Sequence, residues 1–446
     1  MIRRIIVALL RFALRVYFRR VEVVGLEHVP LERPLIFVLN HPNALVDPAF
    51  LLCLAPRQVS FLAKAPLFHM PVLGYFVRAM DALPVYRQQD EAGDVSKNSE
   101  TFEAARKLLA RGGTIGICPE GVSHDEKRLR PIKTGAARIA LGAVSTGEVT
   151  GLQIVPAGLY YTSKTKFRSE ALLYFGKPID VEPVALEEGG IPPRAEVREL
   201  SNRIEIALRE VMLDAHHEEA LHTAARAEKI FSAAGTEADE SLAQELQLQQ
   251  RFIKAYAILR ERAPERLLRL QTRITRFEEE LTQAGVDPDD LSPPKSTWSV
   301  FTHLLSRVVL FLLLLGPAVV GLVVHYPAYR LGGLLATQIS KNDEDVISTV
   351  KILSAMLLFP LTWLVASWVS YRSWGWELAV VVLMLLPLAG YLAIRFFEGI
   401  DSFMGGSRAL VFFLMRRRFF VRLLAERNAI RNEILALGED TTIEAS

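Results

Sequence analysis

From Val300 to Ile394 the sequence is mostly apolar, and no other feature narrows the possible folds as much. Three stretches, Val308–Val324, Ile352–Ser370 and Leu378–Ile394, approach the roughly 20 residues that a helix needs to cross a bilayer. A helix on a soluble core keeps a polar face. These stretches keep none, so the chain is read as an integral membrane protein. Gly316-Pro317 interrupts the first stretch, which predicts a kinked or re-entrant segment there. Lys295 and Arg307 precede the block, and Arg395, Arg408 and Arg416–Arg418 follow it. Positive charge stays on the cytoplasmic side of short flanks. Both flanks are therefore expected in the cytoplasm, with an even number of crossings. The second and third stretches would form a hairpin with Tyr371–Glu377 at the far face, and the first would enter and leave on one side.

The N-terminal segment Met1–Arg20 sets Arg4, Arg11, Arg15 and Arg19 near one helical face, and Ile5, Leu9, Phe12 and Val16 largely on another. Such a basic amphipathic helix can lie in the headgroup plane of a lipid bilayer or pack on its own domain. Its apolar run Ile5–Leu10 is stopped by Arg11 without a small-residue cleavage site, so it is not read as a secretory signal. Two cysteines, Cys53 and Cys118, cannot make a secreted disulfide framework and fit a reduced compartment. With a formal net charge of +2 and no domain of one sign, no nucleic-acid partner is expected.

Between Val21 and about Leu213 short apolar runs alternate with helical periodicity. The expected strands are Leu35–Leu39, Val59–Ala63, Thr114–Cys118, Gln153–Ala157 and Leu172–Phe175, and the expected helices include Thr101–Ala110 and Thr134–Val144. That alternation is an α/β pattern. From about His216 to Leu291 the chain is charged, rich in Leu and Ala, and without strand signal. It predicts two or three helices broken around Gly235 and Pro264 and ending at Pro288 and Pro293-Pro294.

The chemistry concentrates after two of the expected strands. Asn40-His41-Pro42-Asn43-Ala44-Leu45-Val46-Asp47-Pro48 follows Leu35–Leu39. A histidine with a nearby aspartate allows a dyad in which the carboxylate fixes the imidazole tautomer, and the ring takes a proton from an attacking hydroxyl. Taken alone, the pair reads more often as a satisfied structural histidine. Pro119-Glu120-Gly121-Val122-Ser123-His124-Asp125 follows the strand at Thr114. Phe61-Leu62-Ala63-Lys64 and Leu83-Pro84-Val85-Tyr86-Arg87 lie between the two, and Ile154-Val155-Pro156-Ala157-Gly158 comes later. Ser123, His124 and Asp125 are consecutive, so their side chains cannot converge as a hydrolase triad. Cys118 reads as a small core hydrophobe rather than a nucleophile, and direct attack by an acceptor hydroxyl is the working expectation. His216-His217 adjoin without metal-ligand spacing, and no glycine-rich nucleotide loop is present. No metal or cofactor is expected.

These blocks, in this order, resemble the glycerol-phosphate acyltransferase superfamily. The segment between His41 and Asp47 is one residue longer than the wider superfamily usually has. His-Pro-Asn-Ala-Leu-Val-Asp-Pro, Pro-Glu-Gly-Val-Ser-His-Asp, Lys166–Ala171 leading to Phe175-Gly176-Lys177-Pro178-Ile179, and Asp345–Lys351 are similar to the fungal-type glycerol-3-phosphate/dihydroxyacetone-phosphate acyltransferases. The chain departs from the superfamily at Val122, where Thr is common, and at Cys118, where an aromatic is usual. The resemblance implies an α/β fold with a mixed sheet flanked by helices, then a helical region and C-terminal transmembrane helices.

The corresponding domains are 1–20 (surface helix), 21–215 (acyltransferase), 216–295 (helical), 296–400 (membrane) and 401–446 (basic cytoplasmic tail). His41 is implied as general base with Asp47 orienting it. Glu120 and Gly121 belong to the acceptor site, the carboxylate either bonding a glycerol hydroxyl or holding the loop, and Ser123 joins them. Arg87 matches the arginine that pairs with acceptor phosphate, a task that suits a guanidinium fork. Lys64, Lys133, Lys166 and Arg168 are further phosphate candidates, although any one of them reads more often as a solvated charge. The implied reaction moves a fatty acyl group from acyl-coenzyme A or acyl-carrier protein to the sn-1 hydroxyl of glycerol 3-phosphate or dihydroxyacetone phosphate. The alternative acceptor is lysophosphatidic acid or another lysophospholipid. The catalytic domain is expected to face the cytoplasm.

Overall fold

A computed structural model describes residues 1–70, 73–86, 98–215, 218–232, 241–285, 297–341 and 343–443. The chain divides into two compact units: residues 1–214 with 336–352, and residues 215–335 with 353–446.

The first unit opens with helix α1 (Ile2–Tyr17) and strand β1 (Arg20–Val24). It continues through β2 (Leu35–Leu39), α2 (Val46–Leu54), β3 (Ser60–Lys64), α3 (Leu73–Ala79) and β4 (Leu83–Val85). Then come α4 (Asn98–Ala110), β5 (Thr114–Ile117), α5 (Gly135–Ser145), β6 (Gln153–Tyr161), β7 (Glu170–Phe175), β8 (Ile179–Asp180) and α6 (Arg194–Val211). The sheet runs β1-β7-β6-β2-β5-β3-β4, with β8 paired to β6. It is mixed. β2 lies parallel to both β5 and β6, whereas β6 runs antiparallel to β7 and β8. β2 is apolar at every position and wholly buried, as a central strand covered on both faces must be. The core beneath the helices joins Ile36, Val38, Ile115 and Ile154 of the sheet to Leu109, Ala140, Val144, Ile204 and Leu208.

α1 packs on its own domain with one part of its surface and leaves large apolar side chains exposed on another. Ile6, Leu14 and Tyr17 are buried against the domain, while Ile5, Leu9 and Phe12 are 52%, 51% and 65% exposed. Arg11 donates to the Cys53 carbonyl, and Arg3 donates to the carbonyls of Val59 and Met80. These two arginines are spent on the domain itself.

The second unit begins with α7 (Glu218–Ser232), α8 (Leu242–Arg262) and α9 (Pro264–Ala284). The apolar α10 (Thr297–Ser340), α11 (Glu344–Trp374) and α12 (Trp376–Met415) follow, and α13 (Arg417–Ile443) closes the chain. The last residues of α10 and the first of α11 belong to the first unit. α12 runs through the expected boundary at residue 400. α13 is not a free tail: Phe420, Leu423, Ile430 and Ile434 share a core with Ile230, Leu259, Ile274 and Phe277. Arg273 pairs with Glu426 at 2.8 Å and also with Glu433.

Three spans, Leu305–Ser340, Glu344–Trp374 and Trp376–Ile400, are 36, 31 and 25 residues long and apolar enough to cross a bilayer. At about 1.5 Å rise per residue, each exceeds a hydrocarbon core of about 30 Å. This is a membrane protein. Gly316-Pro317 does not end the helix: α10 runs on through Pro317 and Pro327. Proline is tolerated in an apolar helix when neighbouring helices and local adjustments satisfy the freed backbone. Small residues let the helices approach. A Cβ on Gly321 would stand 2.1 Å from the Ala389 carbonyl oxygen, and Gly390 lies against the His325 ring. His325 is itself satisfied, with Nδ1 bonded to the Gly321 carbonyl at 2.7 Å and Nε2 accepting the Trp363 indole N–H at 2.8 Å.

Candidate active site

Parallel pairing of β2 with β5, in a register that sets Val38 opposite Ile117, brings two loops out side by side. One carries His41 and the other carries Cys118 and Glu120. Asn40 fixes the exit of β2, its amide giving to the Leu159 carbonyl at 3.0 Å and accepting the Leu159 N–H at 2.7 Å. The chain then turns through Ala44, a non-glycine residue at φ +38°, and enters α2 with Asp47 in the first turn, where the helix dipole favours a carboxylate.

Asp47 is completely buried. One carboxylate oxygen meets His41 Nδ1 at 2.9 Å and accepts the Asn43 N–H at 2.6 Å. The other accepts the Tyr161 hydroxyl at 2.7 Å. A carboxylate only accepts, so the His41 ring donates from Nδ1 and leaves Nε2 to receive a proton. Cys118 lies close enough to this ring to bear on its proton affinity. Burial alone would push the His41 pKa down, but the influence of nearby Cys118 and the hydrogen bond and charge of Asp47 outweigh it and raise it well above the usual imidazole value. Burial beside Asp47 likewise pushes the Tyr161 hydroxyl up.

Glu120 joins the two loops. Its carboxylate accepts the His41 N–H at 3.2 Å and the Arg130 N–H at 3.0 Å, and it bonds His124 Nε2. The His124 N–H returns a bond to the His41 carbonyl at 3.2 Å. Of the two roles left open for Glu120, these contacts are those of a residue that holds the loop. Gly121 turns at φ +75°, and a Cβ there would stand 2.7 Å from Lys133 Nζ. Lys133 is therefore laid over the Pro-Glu-Gly turn with an exposed side chain.

The other candidates scatter. Lys64 is exposed at the end of β3. Arg168 closes the C-terminus of α1, donating to the carbonyls of Arg15, Val16 and Phe18. Those carbonyls have no partner within the helix, so Arg168 has a capping task in place of the phosphate clamp expected of it. Arg87 lies outside the described residues. Ser123 donates its hydroxyl to Asp345, a partner that sequence reasoning did not assign. Tyr161 was missed as well, as was Asn43. The Asn43 side-chain amide and His124 Nδ1 are buried without a partner among the described residues.

Residues 20–160 match the family described as Acyltransferase, and residues 226–441 match the glycerol-3-phosphate acyltransferase 2 C-terminal domain. Glycerol-3-phosphate O-acyltransferase 2 of Saccharomyces cerevisiae is 26% identical over 60% of this chain and 38% of its own length. An uncharacterized acyltransferase of Schizosaccharomyces pombe is 25% identical over 86% of this chain and 72% of its own. Glycerol-3-phosphate O-acyltransferase 1 of Saccharomyces cerevisiae is 24% identical over 80% of this chain and 60% of its own. The chain thus spans less than two thirds of the length of both Saccharomyces relatives. The chain thus carries an acyltransferase domain before residue 200 and a glycerol-3-phosphate acyltransferase 2 C-terminal domain after it.

Proposed function

We propose that this chain is an O-acyltransferase that moves a fatty acyl group from an acyl thioester to the sn-1 hydroxyl of glycerol 3-phosphate or dihydroxyacetone phosphate, in phospholipid synthesis. The observation that carries the reading is the His41 ring held by the buried Asp47, with Nε2 left to take a proton. An alcohol attacks a thioester poorly at neutral pH, and a positioned base contributes roughly 10²–10⁴-fold. Asp47 keeps the ring in one tautomer and stabilises the imidazolium that forms. The proton then passes to the departing thiolate as the tetrahedral intermediate collapses. The acceptor is named from the Saccharomyces relatives and from the family matched by residues 226–441.

Lys133, laid over Gly121, is the described cation best placed for the acceptor phosphate, with Lys64 and Arg87 as partners in the same task. The donor is acyl-coenzyme A or acyl-carrier protein, and no cofactor is required. The bilayer holds α10–α12, and the exposed apolar stripe of α1 meets its surface. The catalytic unit faces the cytoplasm in this reading, on the side where arginine-rich flanks are retained.

The test is an acceptor panel: full-length protein in detergent, labelled palmitoyl-coenzyme A, and glycerol 3-phosphate, dihydroxyacetone phosphate or lysophosphatidic acid. Acylation of the first or second supports the reading. Acylation of lysophosphatidic acid alone replaces it with the next step of phosphatidate synthesis.

A further inference from the structure

The block Asp345–Lys351 is the one subfamily-like motif that the proposed function leaves unused, and the structure seats it beside the active site. It heads α11 yet belongs to the catalytic unit. Ser348 is fully buried, bonded to the Tyr17 hydroxyl at 3.1 Å and to the Lys164 carbonyl. Lys351 Nζ donates to the Thr165 carbonyl at 2.7 Å. With its segment anchored on α1 and on the loop before β7, Asp345 is 8% exposed and takes the Ser123 hydroxyl. Two blocks separated by 222 residues thus meet side chain to side chain.

That bond decides what Ser123 can recognise. A serine hydroxyl has one donor and two acceptor sites, and a carboxylate only accepts. Ser123 therefore spends its proton on Asp345. Its lone pairs, on a side chain that is only half-buried, are what remains for a substrate. The next residue, His124, bonds the backbone carbonyl of His41 at 3.2 Å, so Ser123 lies one residue from the contact with the base. In the acceptor, C2 lies one carbon from the reacting C1 oxygen. A C2 hydroxyl can donate to the Ser123 lone pairs. A C2 ketone offers them only another acceptor.

We propose that Asp345 is a positioning residue that orients the Ser123 hydroxyl as a hydrogen-bond acceptor for the C2 hydroxyl of the substrate, so that the pair selects a polyol phosphate over its keto counterpart. The inference rests on the acyltransferase reading above and sharpens its choice between the two acceptors. Loss of Asp345 frees the Ser123 proton, which can then turn to a ketone.

The experiment compares kcat/KM for glycerol 3-phosphate and dihydroxyacetone phosphate in full-length protein with palmitoyl-coenzyme A. The wild type should prefer glycerol 3-phosphate. Asp345→Ala should lower the ratio about tenfold, the order that one neutral hydrogen bond supports, with the donor KM unchanged. Ser123→Ala should lower it similarly, and the double variant should fall no further, because the two residues act as one unit. Asp345→Asn, whose amide oxygen can still accept the Ser123 proton, should keep the wild-type ratio. Equal loss toward both acceptors in Asp345→Ala, additive effects in the double variant, or a ratio in Asp345→Asn as low as in Asp345→Ala would overturn the proposal and leave the acyltransferase reading intact. A wild type that acylates neither acceptor sinks that reading, and this proposal with it.

Discussion

A base whose pKa is raised works only when the pH is high enough to strip it. Cys118 and Asp47 favour the protonated His41 ring, so the free base appears as pH rises through a value above the ordinary imidazole figure of about 6.5. The acidic limb of kcat/KM should therefore lie above that figure. Asp47→Asn removes the carboxylate that favours the imidazolium, so the limb should move to lower pH while the plateau falls at least ~10-fold through a mis-set tautomer. His41→Ala should cost at least ~10² in turnover with the fold kept. A pH–rate series on the three proteins checks both statements, and a limb unmoved by Asp47→Asn would refute the assigned cause. Cys118 gives a separate check. Its thiol lies beside the His41 ring without being a nucleophile in this reading, so under direct attack Cys118→Ala should keep turnover within about threefold. Without acceptor, the wild type should then release no stoichiometric burst of coenzyme A. His41 and Asp47 were legible in the sequence because six positions and a strand end join them. Tyr161 was not, since its bond to Asp47 spans 114 residues. Arg168 carries the charge of a phosphate ligand, and only the position of α1 reveals its cap.

Among the elements, β2 was legible to the residue because a continuous apolar run between turn signals has few other uses. β1 and β4 escaped notice because each is short and only half-buried throughout, which leaves neither alternation nor an apolar run to find. α2 is so evenly apolar that it has almost no helical stripe. The expected interruption at Gly316-Pro317 came from a rule for helices in water, where proline costs about 3 kcal/mol, and α10 is helical on both sides of it. In lipid, packing decides instead. Gly321 shows how: its missing side chain admits the Ala389 carbonyl. Gly321→Val should separate α10 from α12 and lower the midpoint of thermal unfolding in detergent, while Gly333→Val, at a position with nothing within 4 Å of a Cβ, should not. Equal stability of the two variants would refute the packing role.

For the molecule as a whole, α13 packs with α7–α9, so the chain returns to the side from which it entered the apolar block. An even number of crossings, the expectation drawn from the arginine flanks, is the arrangement that such a return predicts. After replacement of Cys53 and Cys118, single cysteines at Glu265 and Asn428, both exposed, should react with a membrane-impermeant maleimide from one face only, and from the same face. A cysteine at Ser373, beside the Gly375 turn between α11 and α12, should react from the other face. Reaction of residues 265 and 428 from opposite faces would establish an odd number.

The Tyr17–Ser348 bond sets a timetable for synthesis. Its partners lie 331 residues apart, and a ribosome adding about 5–20 residues per second needs roughly 15–65 s to travel between them. Through that interval the nascent catalytic unit waits without its last segment, while α10 has already been handed to the insertion machinery. A gene cut after residue 214 would release a chain held permanently at that unfinished stage, with the surface meant for Ser348 and Asp345 open to solvent.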